Sequence, residues 1–167
     1  GASVYWEIGG EGVTGATITV NGVTVQELGS GSYLTMAGAL TVVPGEEYTF
    51  SVYHPDYGST SGTAQVPGNF DVTAPLPDSV ITLGEDLVVT LTESAGATFY
   101  TAMLEGNGAF GVVEAPATSI TLSGSDIQTA GDDVLEVEAM WGDYSLWQES
   151  GTGCFGLYGK VVTVTVQ

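Results

Sequence analysis

The chain has 167 residues, 43% hydrophobic and only 13% charged, which supports a packed core and argues against a disordered chain. Its 20 acidic residues face a single basic one, Lys160, for a formal net charge of −19. Such a field repels phosphate backbones and anionic lipid surfaces, so nucleic-acid binding and a basic membrane-surface role are disfavoured, whereas cations are attracted.

Glycine accounts for 25 residues, roughly twice average usage, which suits short strands joined by tight turns. No apolar run approaches the ~20 residues that a helical membrane span needs. One cysteine, Cys154, cannot form an internal disulfide. The Thr/Gly-rich, lysine-poor character leads us to expect a secreted or prokaryotic cell-surface chain whose signal peptide has already been removed.

Read in order, the chain predicts strand after strand and almost no helix. Residues 3–8 (SVYWEI) open. Residues 15–28 (GATITVNGVTVQEL) follow as two alternating runs around Asn21-Gly22, a dipeptide that favours a hairpin because both central residues need positive φ. Ile18 and Val20 share one face, as do Val23 and Val25. Next come residues 32–36 (SYLTM) and 39–43 (ALTVV) as expected strands. A Pro44-Gly45 turn then leads into Tyr48, Phe50 and Val52 at period two. Residues 60–67 (TSGTAQVP) close a first unit. Residues 66–78 (VPGNFDVTAPLPD) hold Pro67, Pro75 and Pro77, and because proline stiffens an extended chain and cannot donate to a ladder, the domain boundary is placed here. The expected domains are residues 1–74 and 75–167.

In the second unit the strands are residues 79–84, 86–94, 97–106, 109–115 (after Asn107-Gly108), 118–127, 133–141 and 160–167, with a short helical turn within 124–133. Over 133–141 (DVLEVEAMW), Val134, Glu136 and Glu138 lie on one face, and Leu135, Val137 and Ala139 on the other. Strands at this spacing predict an all-β fold, two tandem antiparallel β-sandwiches.

The stretches VTGATITVNG, GSGSYLT and VVPGEEYTFSVYHPDYGSTSGTAQVP of the first unit resemble the prealbumin-like sandwich of carboxypeptidase regulatory-like bacterial surface domains. The family pattern is a Gly-Ala strand, a Gly-x-Tyr turn and a strand ending in an aromatic residue. In the second unit, DLVVTLTESAGATFYTAMLEG, TSITLSGSDIQTAG and VLEVEAMWGD resemble fibronectin type III or immunoglobulin-like modules, although Leu91 stands where fibronectin modules carry a core tryptophan. The resemblance implies extracellular display and interaction, and it carries over no catalytic residue.

Few residues offer catalytic chemistry. His54 is the only histidine, so any Ser-His-Asp or Cys-His site must use it, and it falls in a different expected domain from Cys154. His54 otherwise reads as a strand end turning at Pro55-Asp56. Glu136 with Glu138 is one of several carboxylate pairs that a glycoside hydrolase could use; the competing reading is a solvated strand face. No Cys/His cluster supports zinc. Asp126, Asp132 and Asp133 flank a glycine-containing loop and are the candidate calcium ligands; otherwise no cofactor is expected.

The aromatic residues Trp141, Tyr144, Trp147, Phe155 and Tyr158 form the candidate binding surface, for a glycan or a protein, with core packing as the alternative. Both terminal strands are apolar and nearly free of the lysine and proline that guard sheet edges. Val4, Tyr5 and Trp6, and Val162, Val164 and Val166, are therefore the candidate strand-pairing residues, joining copies of the chain or other surface proteins in trans unless they pair within their own domain. Lys160 and Cys154 raise the possibility of an isopeptide cross-link or a reactive thiol, against a buried, inert cysteine. The expected function is a non-enzymatic structural or interaction protein. The alternatives are a carbohydrate- or protein-binding module, and a small carboxylate-dependent hydrolase.

Overall fold

The computed structural model describes residues 3–5, 7–8, 11–143 and 156–167. Their regular structure is β-strand, with one 3-10 turn at Gly124–Asp126 inside the segment where a helical turn is expected. The chain divides into two compact units, Gly1–Gln65 and Val66–Gln167. The boundary thus moves from residue 74 to Gln65. The segment after it belongs to the second unit because Phe70 is buried in that unit's core and residues 72–74 pair with one of its strands.

The first unit contains β1 (Ser3–Tyr5), β2 (Glu7–Ile8), β3 (Glu11–Gly12), β4 (Thr17–Val20), β5 (Val23–Gly29), β6 (Ser32–Leu34), β7 (Glu47–His54) and β8 (Gly58–Gln65). Its main sheet runs β1-β6-β5-β4-β7-β8, with β2 and β3 as a separate ladder. The hairpin at Asn21-Gly22 forms as the sequence dictates: both residues have positive φ, 48° and 77°, and Ile18 pairs with Val25 and Val20 with Val23. Ile18, Val20, Val25, Tyr33 and Tyr48 are buried. β5 pairs with β4 over Val23–Val25 and with β6 from Gln26 onward, and the β5–β6 register shifts between Glu27 and Gly29, a bulge of the kind that bends a strand.

Residues 39–43 are not a strand. A turn closes with Ala39 N–H donating to Met36 O, and the Tyr48 hydroxyl serves the following backbone, accepting from Val43 N (2.7 Å) and donating to Thr41 O (3.2 Å). A buried phenol therefore does the work that a neighbouring strand would do.

The second unit contains β9 (Val72–Ala74), β10 (Ser79–Ile81), β11 (Leu87–Leu91), β12 (Phe99–Leu104), β13 (Ala109–Glu114), β14 (Ser119–Leu122), β15 (Gly131–Trp141) and β16 (Gly156–Val166). One sheet runs β14-β11-β9 and the other β10-β16-β15-β12-β13. Val89, Leu91, Ile120 and Leu122 of the first sheet meet Tyr100, Leu104, Leu135, Val137 and Val164 of the second in one core. Each such side chain contributes roughly 1.5–3 kcal/mol on burial. The unit is a two-sheet β-sandwich, in which β9 joins one sheet while β10 crosses to the other and runs parallel to β16. Gly111 closes one flank: a Cβ there would lie 2.7 Å from Ile120 Cγ2 and 3.0 Å from Thr121 O.

The last three residues of the final strand are not a free edge. β16 pairs with β15 along its length, and β10 covers its last three residues, Val164–Val166. Val162, Val164 and Val166 are buried, so they build the core of their own unit and are not available for pairing in trans.

Candidate functional site

The longest strand that ends a sheet is β8. It has eight residues, Gly58–Gln65, pairs with β7 from Glu47↔Gln65 to His54↔Gly58, and ends the sheet. Among the described residues nothing pairs with its other side. Its sequence, GSTSGTAQ, has no charge and no proline, so none of the usual side-chain guards of a sheet edge is present. The other edges are shorter or guarded: β1, β9 and β10 have three residues each and β14 four, β13 ends on Glu114 with Pro116 following, and the part of β16 that β10 leaves uncovered carries Lys160.

Local packing fixes the middle and the turn of the β7–β8 hairpin. The ring of Phe50 lies over Gly62, opposite it in register, where a Cβ would come within 2.7 Å. At the turn, His54 is buried: Asp56 N–H donates to Nδ1 (3.1 Å), so Nε2 carries the proton and donates to Thr14 O (3.0 Å). His54 also packs on the Tyr57 ring at 4.7 Å between centroids. Both ring nitrogens are occupied in holding the turn, which makes this histidine structural.

A second surface is the outer face of the five-stranded sheet. Strand register aligns Phe110, Met103, Glu136 and Val161 in one row across four strands, and Val112, Thr101, Glu138 and Gly159 in the next. Phe110, Met103 and Val161 are exposed at 45%, 37% and 64%. Glu138 accepts from the Thr101 hydroxyl at 3.3 Å. Burial first, and then the charge of Glu136, raise the Glu138 carboxyl above the usual glutamate range, with the Thr101 bond opposing them. The expected alternation over 133–141 holds: Glu136 and Glu138 share the face opposite Leu135, Val137 and Ala139.

The three expected calcium ligands are not gathered. Asp133 is buried and accepts from Gly106 N (2.6 Å), Val134 N (2.7 Å) and Asn107 Nδ2 (2.8 Å). Asp132, its neighbour on the strand, points to the opposite face and accepts from Thr165 Oγ1 (3.0 Å), while Asp126 accepts from Ser125 Oγ (3.2 Å). Among the described residues no group of three or more acidic, histidine or cysteine side chains is placed to hold a metal. The adjacent carboxylates serve loop structure, and calcium is not assigned to them. Asn107 completes the bracket by accepting from Gln128 N and Thr129 N and donating to Thr129 O.

Of the expected aromatic surface, Trp141 is half-buried at the end of β15, and Tyr158 packs edge-on against Phe70 with centroids 6.0 Å apart. Tyr158 thus borders the core. Trp6, Tyr144, Trp147, Cys154 and Phe155 lie outside the described residues. Val4 and Tyr5 sit on β1, which pairs with β6 at one end of the sheet. Lys160 forms an ion pair with Asp71 at 3.6 Å, beside the Tyr158 ring. The Asp71 side chain is 81% exposed, so this is a solvated pair worth roughly 0–1 kcal/mol and lacks the burial that an isopeptide bond requires. β8 escaped attention in the sequence, although the signal was there: the lack of charge and proline noted at the two termini applies equally to GSTSGTAQ.

No family model and no curated protein matches the chain. Among solved structures it is similar to a tri-modular GH5 (subfamily 4) endo-β-1,4-glucanase from Bacillus licheniformis complexed with cellotetraose, at 11% identity and TM-score 0.33. That match covers 99% of this chain and 35% of the enzyme, so the chain spans about a third of that protein's length. It is also similar to DIP-gamma IG1+IG2 (12% identity, TM-score 0.31, 86% of this chain and 70% of the other) and to a chimeric titin Z1Z2-Z1Z2 tandem (13%, 0.30, 90% and 82%). None of the three carries a functional argument at these scores; the reading below rests on strand pairing and side-chain chemistry.

Proposed function

We propose that the chain is a non-enzymatic structural module of a secreted or cell-surface assembly, joined to further copies of itself by strand addition along β8. The observation that carries this reading is an eight-residue terminal strand without charge or proline, fixed to β7 along its whole length. Main-chain hydrogen bonds supply affinity in strand addition, and they do not require charged side chains. The lysine-poor, all-β character supports placement outside the cell.

The net charge sets the conditions. Two copies at −19 each repel over distances that salt screens, with a Debye length near ~8 Å at physiological ionic strength. Association through β8 therefore strengthens as salt rises. Sedimentation velocity and electron microscopy across a concentration series test the proposal, with the double variant Ser61→Lys/Thr63→Lys as the control. Both positions are exposed, so the expected stability change is within about 0.5 kcal/mol. The parent chain is expected to associate and the variant to remain monomeric. A parent that stays monomeric at every concentration and salt, or a variant that assembles equally well, overturns the reading.

A further inference from the structure

We propose that the outer face of the five-stranded sheet docks a protein segment carrying an arginine or lysine between apolar residues, with the cation seated over Gly159 between Glu136 and Glu138. This surface is in the second unit and is independent of β8.

Three observations converge on it. The first is exposed apolar area: Phe110, Met103 and Val161 lie in one cross-strand row, and Val112 in the next. The second is the carboxylate pair set into that area, one in each row. Two like charges on alternate residues of one strand are held together by the pleat, and the Glu138 carboxyl is raised first by burial and then by the charge of Glu136. A cation bound between them removes that repulsion. The third is a notch. Gly159 is opposite Glu138 in register and presents no side chain to this face; a Cβ built there meets nothing closer than Glu138 Cγ at 3.8 Å. The notch gives a long cationic side chain a place beside the carboxylates while its flanking residues cover Met103 and Val161.

Charge complementarity selects the occupant. The chain has one basic residue, Lys160, held in an ion pair with Asp71, so a second copy brings a net charge of −19 and at most one cation to this acidic face. An anionic or nucleic-acid partner is repelled. A guanidinium suits the site particularly well, because it pairs with carboxylates in a fork and tolerates apolar contact on its faces.

The test is titration of the 15N-labelled full chain with acetyl-Leu-Arg-Leu-Arg-Leu-amide, followed by NMR. Two control peptides accompany it, one with citrulline for arginine and one with glycine for leucine. Saturable shifts are expected at Thr101, Met103, Glu136, Glu138, Gly159 and Val161. Both control peptides, and the Glu136→Gln/Glu138→Gln variant, are expected to bind at least about tenfold more weakly. Gly159→Val fills the notch on a strand backbone that accepts it, so it should abolish binding while leaving thermal stability unchanged; Gly159→Ala, whose methyl fits, should weaken binding partially. Added salt weakens this interaction, opposite to its effect on β8 association, so the two proposals fail separately. Equal binding of the glycine peptide, shifts spread over the acidic surface, undiminished binding by Gly159→Val, or a second copy of the chain occupying the face overturns the proposal.

Discussion

Asp133 is the residue whose loss should cost the second unit most per atom removed. Its Oδ1 accepts from Gly106 N and Val134 N, and its Oδ2 from Asn107 Nδ2. Asp133→Ala removes a buried carboxylate that joins the β12–β13 turn to the start of β15. A hydrogen bond to a charged group is worth about 1.5–3 kcal/mol. Gly106 is exposed, so water satisfies part of what is lost, and Asn107 keeps its bond to Thr129 O. The net cost is therefore about 2–3 kcal/mol, or roughly 10–20 °C in the midpoint of a unit this size. Asp133→Asn separates shape from hydrogen bonding. Its oxygen can keep both backbone donors, but its NH2 then faces the NH2 of Asn107. Asn107 cannot flip, because its Oδ1 already accepts from Gln128 N and Thr129 N. We expect about 1–2 kcal/mol for this clash of donors, with part of it recovered by adding Asn107→Asp, which puts an acceptor opposite the new amide. Differential scanning calorimetry of the parent, Asp133→Asn, Asn107→Asp and their double variant measures the cycle, with Asp133→Ala beside them. Strict additivity, or an Asp133→Ala cost below about 0.5 kcal/mol, refutes the bracket.

The remaining predictions concern the sheets. Glu138 has a raised carboxyl, so the folded state binds its proton more readily than the unfolded state does, and its charge opposes folding at pH above the raised value. Glu138→Gln is therefore expected to stabilise the chain at neutral pH by a few tenths to about 1 kcal/mol. That gain should shrink as pH falls through the raised value and disappear below the ordinary glutamate range; urea melts across pH measure it, and a gain that grows on acidification contradicts the assignment. Gly111→Ala places a methyl against Ile120 and the Thr121 carbonyl, and because backbone cannot move aside cheaply it should cost about 1–3 kcal/mol. A neutral result in the same melts means that β13 and β14 are not held so close.

Much of this fold is written locally. Asn21-Gly22 specifies its hairpin because both residues tolerate positive φ, and the period-two runs of β7 and β15 put Tyr48 and Leu135 inward as their alternation requires. What local reading could not decide was set by distant partners. Residues 160–167 look like an edge until β10, some 80 residues earlier in the chain, covers Val164–Val166. Residues 39–43 have strand composition, yet the Tyr48 hydroxyl takes their backbone bonds and no ladder forms. The carboxylates around Gly131 suggest a cation loop, but alternation sends Asp132 and Asp133 to opposite faces and Asn107 claims the buried one. The outer face of the five-stranded sheet shows the same limit. Glu136 and Glu138 were visible as a pair, but the apolar row and the Gly159 notch beside them arise only from cross-strand register.

Hydrogen exchange of β8 at low and high protein concentration tests the central claim most directly. Alternate amides of Gly58–Gln65 face away from β7 and exchange freely in the monomer. Strand addition predicts that they become protected as the chain associates, that salt increases this protection, and that Ser61→Lys/Thr63→Lys abolishes it. Association that leaves these amides unprotected while protection appears at β1 or β13 would contradict the account.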